Sequence, residues 1–492
     1  MLPSQGAPGG GGRGGTQTGR GPGHAGEAPG PARGAGIAAD VPDVPAAGLS
    51  YREALAVVEG RGQGITPGLG RIEALLGLLD HPERTYPTVH LAGTNGKTST
   101  ARIVGAVLAA HGLPAGVYTS PHLQSLRERF VRWGRTEEGP LAGEAISEDE
   151  FRALVEYLVP FVSLVEQAGE PVTYFELTTA LAFEWMAQAT VAAGVVEAGL
   201  GGSWDATNVV AGDVSVLTRI GVDHRAFLGT TPLANAREKV GILKPGMRCV
   251  SAAQDADVAA LVAATADERG LALAVMGRDF DLIDDEPAFR GRQFSVRGPS
   301  GQIYSELYLP LLGGFQATNA TLAIAACEEL LGRPLNEEAL GEALAAVTSP
   351  GRLEQVGWDP AMVLDGAHNP QAAQALAVAL AESFGRLPRT FVISVFADKD
   401  VPQVLAPMLA SAHRVIFWTS SSPRAAPAGD LAEAARALGT PAGMVEVASS
   451  LQDALDRARA GADRGVIVIT GSLYAVGEAR DLLLGPVGGS AE

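Results

Sequence analysis

The sequence predicts an α/β protein: a parallel-sheet unit with a phosphate-type loop, then a smaller Rossmann-like α/β unit. Three observations carry this. Short apolar runs such as VAAGVVEAGLGG (191–202) and DVSVLTRIGVDH (213–224) alternate with helical patterns, as in a parallel sheet covered on both faces. The strand pattern TVHLAG (88–93) runs through the glycine loop of HLAGTNGKTST (90–100) into a helix ended by Gly112 and Pro114. After TSPGRLE (348–354), where Pro350 and Gly351 mark a junction, the alternation starts afresh.

In chain order, residues 1–47 are dominated by Gly, Pro and Ala; such a segment cannot offset its ordering entropy by burial, so a disordered tail is expected. YREALAVVE (51–59) and RIEALLGLLD (71–80) have helical spacing. AGVYTSPHL (115–123) reads as a strand ending in a turn, and the polar, acidic residues 135–150 as a loop. FRALVEYLVPFVSLVEQ and FELTTALAFEWMAQA read as helices. Residues 270–312 alternate and carry the turn signal RGPSGQ, predicting a small antiparallel addition; ATNATLAIAACEELLG returns to helix. Beyond the junction, AMVLDGAHNP, RTFVISVFADKD, HRVIFWTS and GVIVITGS read as strands. The first of them lacks a following G-x-G-x-x-G, which argues against a dinucleotide cofactor. The expected division is 1–47 tail, 48–349 first unit and 350–492 second unit.

A formal net charge of −18 excludes a general nucleic-acid binder, which needs a basic footprint. Cys249 and Cys327 are far apart without metal-ligand spacing, so both read as reduced structural thiols. No run suits a signal peptide or a bilayer span, and the expectation is a cytoplasmic protein without membrane partners.

The loop departs from G-x-x-x-x-G-K-[ST]: Leu91 stands where the first glycine belongs, and Gly93 shortens the loop. Strand, loop and helix still aim backbone N–H groups and the positive helix end at one point, which suits a phosphate. Lys97 would reach the β- and γ-phosphates and Thr98 would stand near a metal ion. An ordinary strand-to-helix turn with a surface lysine is the plain alternative. Glu197, Ser120 and His224 each follow a strand, where ligand crevices open. A carboxylate suits Mg2+, but a solvated acid, a turn cap and a structural histidine are equally ordinary readings. Lys239 by itself reads as a solvated helix lysine.

Taken together and in order, GITPGLGRIEALL, HLAGTNGKTST, GVYTSPHL, TYFELTTALAF, VVEAGLGGSWDATNVV, SVLTRIGVDHRAFLG, REKVGILKPG, QATNATLAIAA, SPGRLE, LDGAHNP, FADKD and TGSLY resemble the folylpolyglutamate synthases. These include bifunctional dihydrofolate synthase forms and fall within the Mur ligase superfamily. The resemblance covers the chain from about residue 50, and the short loop is the superfamily's GT-x-GK-[ST]. It implies a P-loop ATPase-type domain and a C-terminal Rossmann-like domain. Thr94, Asn95, Gly96, Lys97 and Thr98 would hold ATP, with Asn319, Arg352 and Asp365. Ser120, Glu197 and His224 would bind Mg2+ at two sites, assisted by a carbamylated Lys239. His368 would steady the phosphates; Lys97, Lys239, His224 and His368 form the implied catalytic set. The substrate residues would be Thr66, Pro67, Gly68 and Leu69; Thr173, Tyr174, Phe175 and Glu176; Trp204, Asp205 and Ala206; and Ser472, Leu473 and Tyr474. Ser203 replaces the family's usual arginine in GGSWDATN, with Arg237 the nearby cation that could compensate.

The implied activity is ATP-dependent addition of L-glutamate to reduced folates and to dihydropteroate through an acyl phosphate, by a monomer. A Mur-type ligase acting on a non-folate carboxylate is the alternative. A cell-wall ligase would need a UDP-binding domain, and residues 48–92 are too few for one. A nucleotide switch would not need Arg352 and Asp365.

Overall fold

The computed structural model describes residues 48–62, 64, 66–137, 139–169, 171–461 and 465–486; the expected tail, 1–47, lies outside them. The first sheet contains β1 (Thr88–Ala92), β2 (Ala115–Tyr118), β3 (Phe130–Arg135), β4 (Leu141–Ala145), β5 (Ala193–Glu197), β6 (Val214–Leu217), β7 (Arg248–Ser251) and β8 (Ala272–Val275). Its order is β4-β3-β2-β5-β1-β6-β7-β8. The six strands from β2 to β8 in that order run parallel. β1 and β5 are buried at every residue, which is why they read as continuous apolar runs.

Two cores flank this sheet. One face packs against the helices Lys97–Ala110, Gly314–Leu331 and Glu337–Ala346. The other is covered by Tyr51–Glu59, Gly70–Leu78, Glu148–Ala168 and Tyr174–Gln188. Ser50, Ser147 and Thr173 start three of these helices with capping boxes, each completed by a glutamate three residues on.

Two expectations are corrected. Residues 135–150 are not a loop: Leu141–Ala145 is β4, paired antiparallel with β3, which pairs antiparallel with β2. The outer strand is half exposed, so its polar residues face water and mask the alternation. Residues 270–312 are also not wholly a separate addition. β8 joins the main sheet parallel to β7; only β9 (Asp281–Ala288), β10 (Gly291–Arg297) and β11 (Ile303–Leu309) form the antiparallel sheet.

The second large sheet is formed by β12 (Glu354–Trp358), β13 (Ala361–Asp365), β14 (Arg389–Ile393), β15 (Arg414–Phe417), β16 (Val445–Val447) and β17 (Val466–Thr470), in the order β12-β13-β17-β14-β15-β16. Only β12 is antiparallel. Apolar clusters cover both of its faces. Cys249 and Cys327 are buried and free. No helix among the described residues is long and apolar enough to cross a membrane.

Polar contacts also thread the first core. His90 on β1 is fully buried, with Nε2 2.9 Å from the Thr207 hydroxyl. Burial, aided by the charge of Lys244, pushes its pKa down to about 3. The unfolded chain therefore binds a proton below the ordinary histidine value that the folded chain refuses, and stability falls with acidification. Between pH 7.5 and pH 5, His90 should remove about 2 kcal/mol of stability. Urea unfolding of wild type and His90→Gln should differ in pH slope by that amount; parallel slopes would refute the assignment.

Candidate active site

The site begins where β1 ends. Gly93 has φ +151° and Gly96 φ +90°. A Cβ on Gly93 would lie 1.8 Å from Thr218 Oγ1, and one on Gly96 2.4 Å from Asn319 Oδ1, so both positions require glycine. The helix Lys97–Ala110 starts without a side-chain cap, leaving its first N–H groups free for an anion. The Thr94 hydroxyl anchors the loop, donating to Gly221 O at 3.1 Å.

β5 lies beside β1 and delivers Glu197 to this loop. Thr98 Oγ1 donates to its carboxylate at 2.9 Å, Ser120 N–H at 3.4 Å, and Lys97 Nζ stands 3.8 Å away. Burial raises the Glu197 pKa, while Lys97, Thr98, Arg352 and Ser120 oppose the rise. The Thr98 hydroxyl and the Glu197 carboxylate thus present oxygens together, with Ser120 beside them in the same cavity, residue types that suit Mg2+ shared with phosphate oxygens. His224 and Lys239 offer nitrogen, a poor match to Mg2+ as they stand. No group of three or more His, Cys, Asp or Glu gathers among the described residues. Burial pushes the His224 pKa down to about 4 and that of Lys239, also repelled by Lys97, down to about 7.

The second sheet closes the site from the other side. Asp365, at the end of β13, accepts N–H groups from Leu353 at 2.8 Å and Ala367 at 2.9 Å. Asn95 Nδ2 donates to Gln371 Oε1 at 3.1 Å, and Asn369 Nδ2 to Asn95 Oδ1 at 3.0 Å. Asp223 pairs with Lys399 at 2.6 Å and lies 3.2 Å from His368 Nε2. Burial would raise the Asp223 carboxyl, but His368, His224 and Lys399 together hold it well below the usual range. The cleft between the two sheets has a volume of about 510 Å³.

Thr94, Asn95, Gly96, Lys97, Thr98, Ser120, Glu197, His224, Lys239, Asn319, Arg352, Asp365, His368 and Leu473 all line this cavity. The other substrate candidates do not. Thr66 O accepts from Arg71 Nη2 at 2.9 Å, in the segment that also holds Pro67, Gly68 and Leu69. Thr173 caps its helix with Glu176, which also binds Arg71. Tyr174 lies under Arg129 and Phe175 against Gly199. Trp204 covers Gly201. Asp205 caps the turn at Ala206–Val209 and accepts Leu200 N–H at 2.7 Å. Ser472 caps the last helix, and Tyr474 is half exposed beside Phe396. Ser203 packs on the chain before Lys239, accepting nothing there but donating to Glu238 O at 3.2 Å, and Arg237 is exposed. The residues the sequence reading missed are Asp223, Asn369, Gln371 and Lys399. Three of them lie inside quoted blocks (VDH, HNP and FADKD), so the signal was present; the partners were not.

A family model described as "Dihydrofolate synthetase, C-terminal domain" matches residues 353–482. The Mycobacterium tuberculosis protein named dihydrofolate synthase/folylpolyglutamate synthase is 38% identical over 450 residues, 85% of this chain and 90% of that protein. The structure of Mycobacterium tuberculosis folylpolyglutamate synthase complexed with ADP matches with TM-score 0.82 at 37% identity, covering 90% of this chain and 99% of that one. An FPGS–AMPPCP–folate complex matches with TM-score 0.77 at 31% identity, covering 89% and 100%.

Lys399→Met should leave Asp223 buried with too little countercharge and cost about 3 kcal/mol in urea unfolding. Adding Asp223→Asn should recover part of that loss. Additive losses in the double variant would show that the pair does not couple.

Proposed function

Because the chain belongs to the dihydrofolate synthase/folylpolyglutamate synthase family of ATP-dependent ligases, we propose that it joins L-glutamate to reduced folates and to dihydropteroate through an acyl phosphate. The observation that carries this reading is the cavity itself. A phosphate loop faces Glu197, while Arg352, Asp365 and His368 close it from the second sheet. Residues 48–349 then form the ATP-binding domain and 350–492 the C-terminal domain.

In this reading the N–H groups from Asn95 to Thr98 and the helix end hold the β- and γ-phosphates of ATP, on a loop that Thr94 anchors through its own N–H to Arg219 O and its hydroxyl to Gly221 O. Lys97 Nζ neutralises charge on the transferring phosphoryl group. The folate carboxylate attacks the γ-phosphorus, and ADP leaves. The glutamate amine then attacks the acyl carbon, loses a proton, and phosphate departs as the amide forms. Thr98, Ser120 and Glu197 would hold Mg2+, which would supply charge neutralisation at phosphate oxygens. His224 would complete a second site with Lys239. A lysine whose pKa is pushed down to about 7 has a substantial neutral fraction, the form that adds CO2, and the resulting carbamate is an oxygen donor. Asn319, Arg352 and Asp365 position the nucleotide, and closure between the two sheets excludes water from the acyl phosphate. Thr66–Leu69, Thr173–Glu176, Trp204–Ala206 and Ser472–Tyr474 shape the folate side, chiefly by holding its loops and helix starts.

ADP release should require both a folate acceptor and L-glutamate. Lys97→Ala should lower kcat at least a hundredfold, about 3 kcal/mol of transition-state stabilisation. Glutamate-independent ADP release at the wild-type rate would refute the ligase reading. Product with tetrahydrofolate but none with dihydropteroate would confine the activity to polyglutamylation.

A further inference from the structure

Arg129 ends the short helix Leu126–Arg129, just before β3, and is only 5% exposed. Its Nε–H donates to Nδ1 of His122 at 3.1 Å, and its guanidinium carbon stands 5.2 Å above the Tyr174 ring. Its two Nη atoms have no protein acceptor among the described residues. No carboxylate there lies within 4.0 Å of it. Its neighbour Arg127 is partnered by Glu148, and Arg61 by Glu166.

A largely buried guanidinium without a counter-anion is costly, because burial strips most of its hydration and nothing of opposite charge replaces it. The face of Tyr174 offsets only part of that cost. It also leaves the outer edge of the planar fork unused, and that edge matches a carboxylate in bidentate geometry. The position fits a substrate. Arg129 O accepts the N–H of Thr119 at 3.1 Å, one residue before Ser120 in the nucleotide cavity. The main chain of Arg129 therefore adjoins the strand end that leads to Ser120, while its guanidinium lies over Tyr174.

We propose that Arg129 is a carboxylate-binding residue of the substrate site and takes a carboxylate of a glutamyl group. The two sources of that group are the folate tail, through its carboxylate that is not activated, and the incoming L-glutamate. This proposal rests on the folate–glutamate ligase reading above. Lysine would keep the cation but lose the two-pronged contact.

The test measures KM for tetrahydrofolate monoglutamate, L-glutamate and ATP by ADP release in the full chain, for wild type, Arg129→Gln and Arg129→Lys. In the Gln variant one carboxylate-bearing substrate should show a KM raised at least tenfold, with KM for ATP within twofold of wild type. The Lys variant should show a smaller rise in the same KM. A rise for the folate assigns the tail, and a rise for L-glutamate assigns the co-substrate. Unchanged KM values for both would overturn the proposal, as would a fall in kcat alone, which a merely structural arginine would give. If the Gln variant does not fold, the Lys variant decides by the same criterion. Wild type without glutamate-dependent ADP release would refute the underlying reading instead, a failure visible before any variant is compared.

Discussion

The site depends on the buried ion pair between Asp223, on the loop after β6, and Lys399, on the loop after β14. Their side chains are 11% and 10% exposed and 2.6 Å apart. Asp223 also receives His368 and Asn369, so one carboxylate gathers three groups from the second sheet. Such a pair adds little net stability over an apolar contact, but breaking it is expensive. It therefore acts as a register pin: the carboxyl ends of two parallel sheets meet at one place, and the cavity lies there. Asn95, Asn369 and Gln371 repeat the pin with neutral groups.

Charge is concentrated against the trend of the chain. The protein carries a formal net charge of −18, yet Lys97, Lys239, Arg219 and Arg352 all line one cavity. An acidic molecule can bind a polyanion only through such a local reversal, supported by free helix N–H groups. Crowding the cations has a cost, visible in Lys239, whose ammonium is disfavoured by burial and by Lys97. Glu197 is the counterweight: buried and held by a lysine, a hydroxyl and a backbone N–H. Its carboxylate can be shared with a cation brought in by the nucleotide.

Most of the substrate candidates lie outside the cavity lining and serve the backbone instead. Thr173 and Glu176 fix a helix start, and Asp205 fixes the loop after β5. Their hydrogen bonds go to backbone N–H groups and to neighbouring side chains, Arg71 for Glu176 and Thr207 for Asp205, so these groups hold the local backbone in place. The hairpin β3–β4 was invisible to sequence pattern for a related reason. An edge strand is half in water, and its composition is not that of a core strand.

The sequence by itself determined what is local. Runs of buried residues specified β1, β5, β6 and, in the second sheet, β13, β14, β15 and β17; the more exposed β12 and β16 carry no such run. Glycine spacing specified the loop, since Gly93 and Gly96 adopt backbone angles that other residues resist. The order of short blocks identified the chemistry. Tertiary structure alone decided the partnerships: Asp223 meets Lys399 across 176 residues of chain, Asn95 meets Gln371 across 276, and Arg129 meets no carboxylate among the described residues. Local preference is written in neighbouring residues. Which distant charges face each other, and which is left without a partner among the described residues, follows only from how the sheets pack.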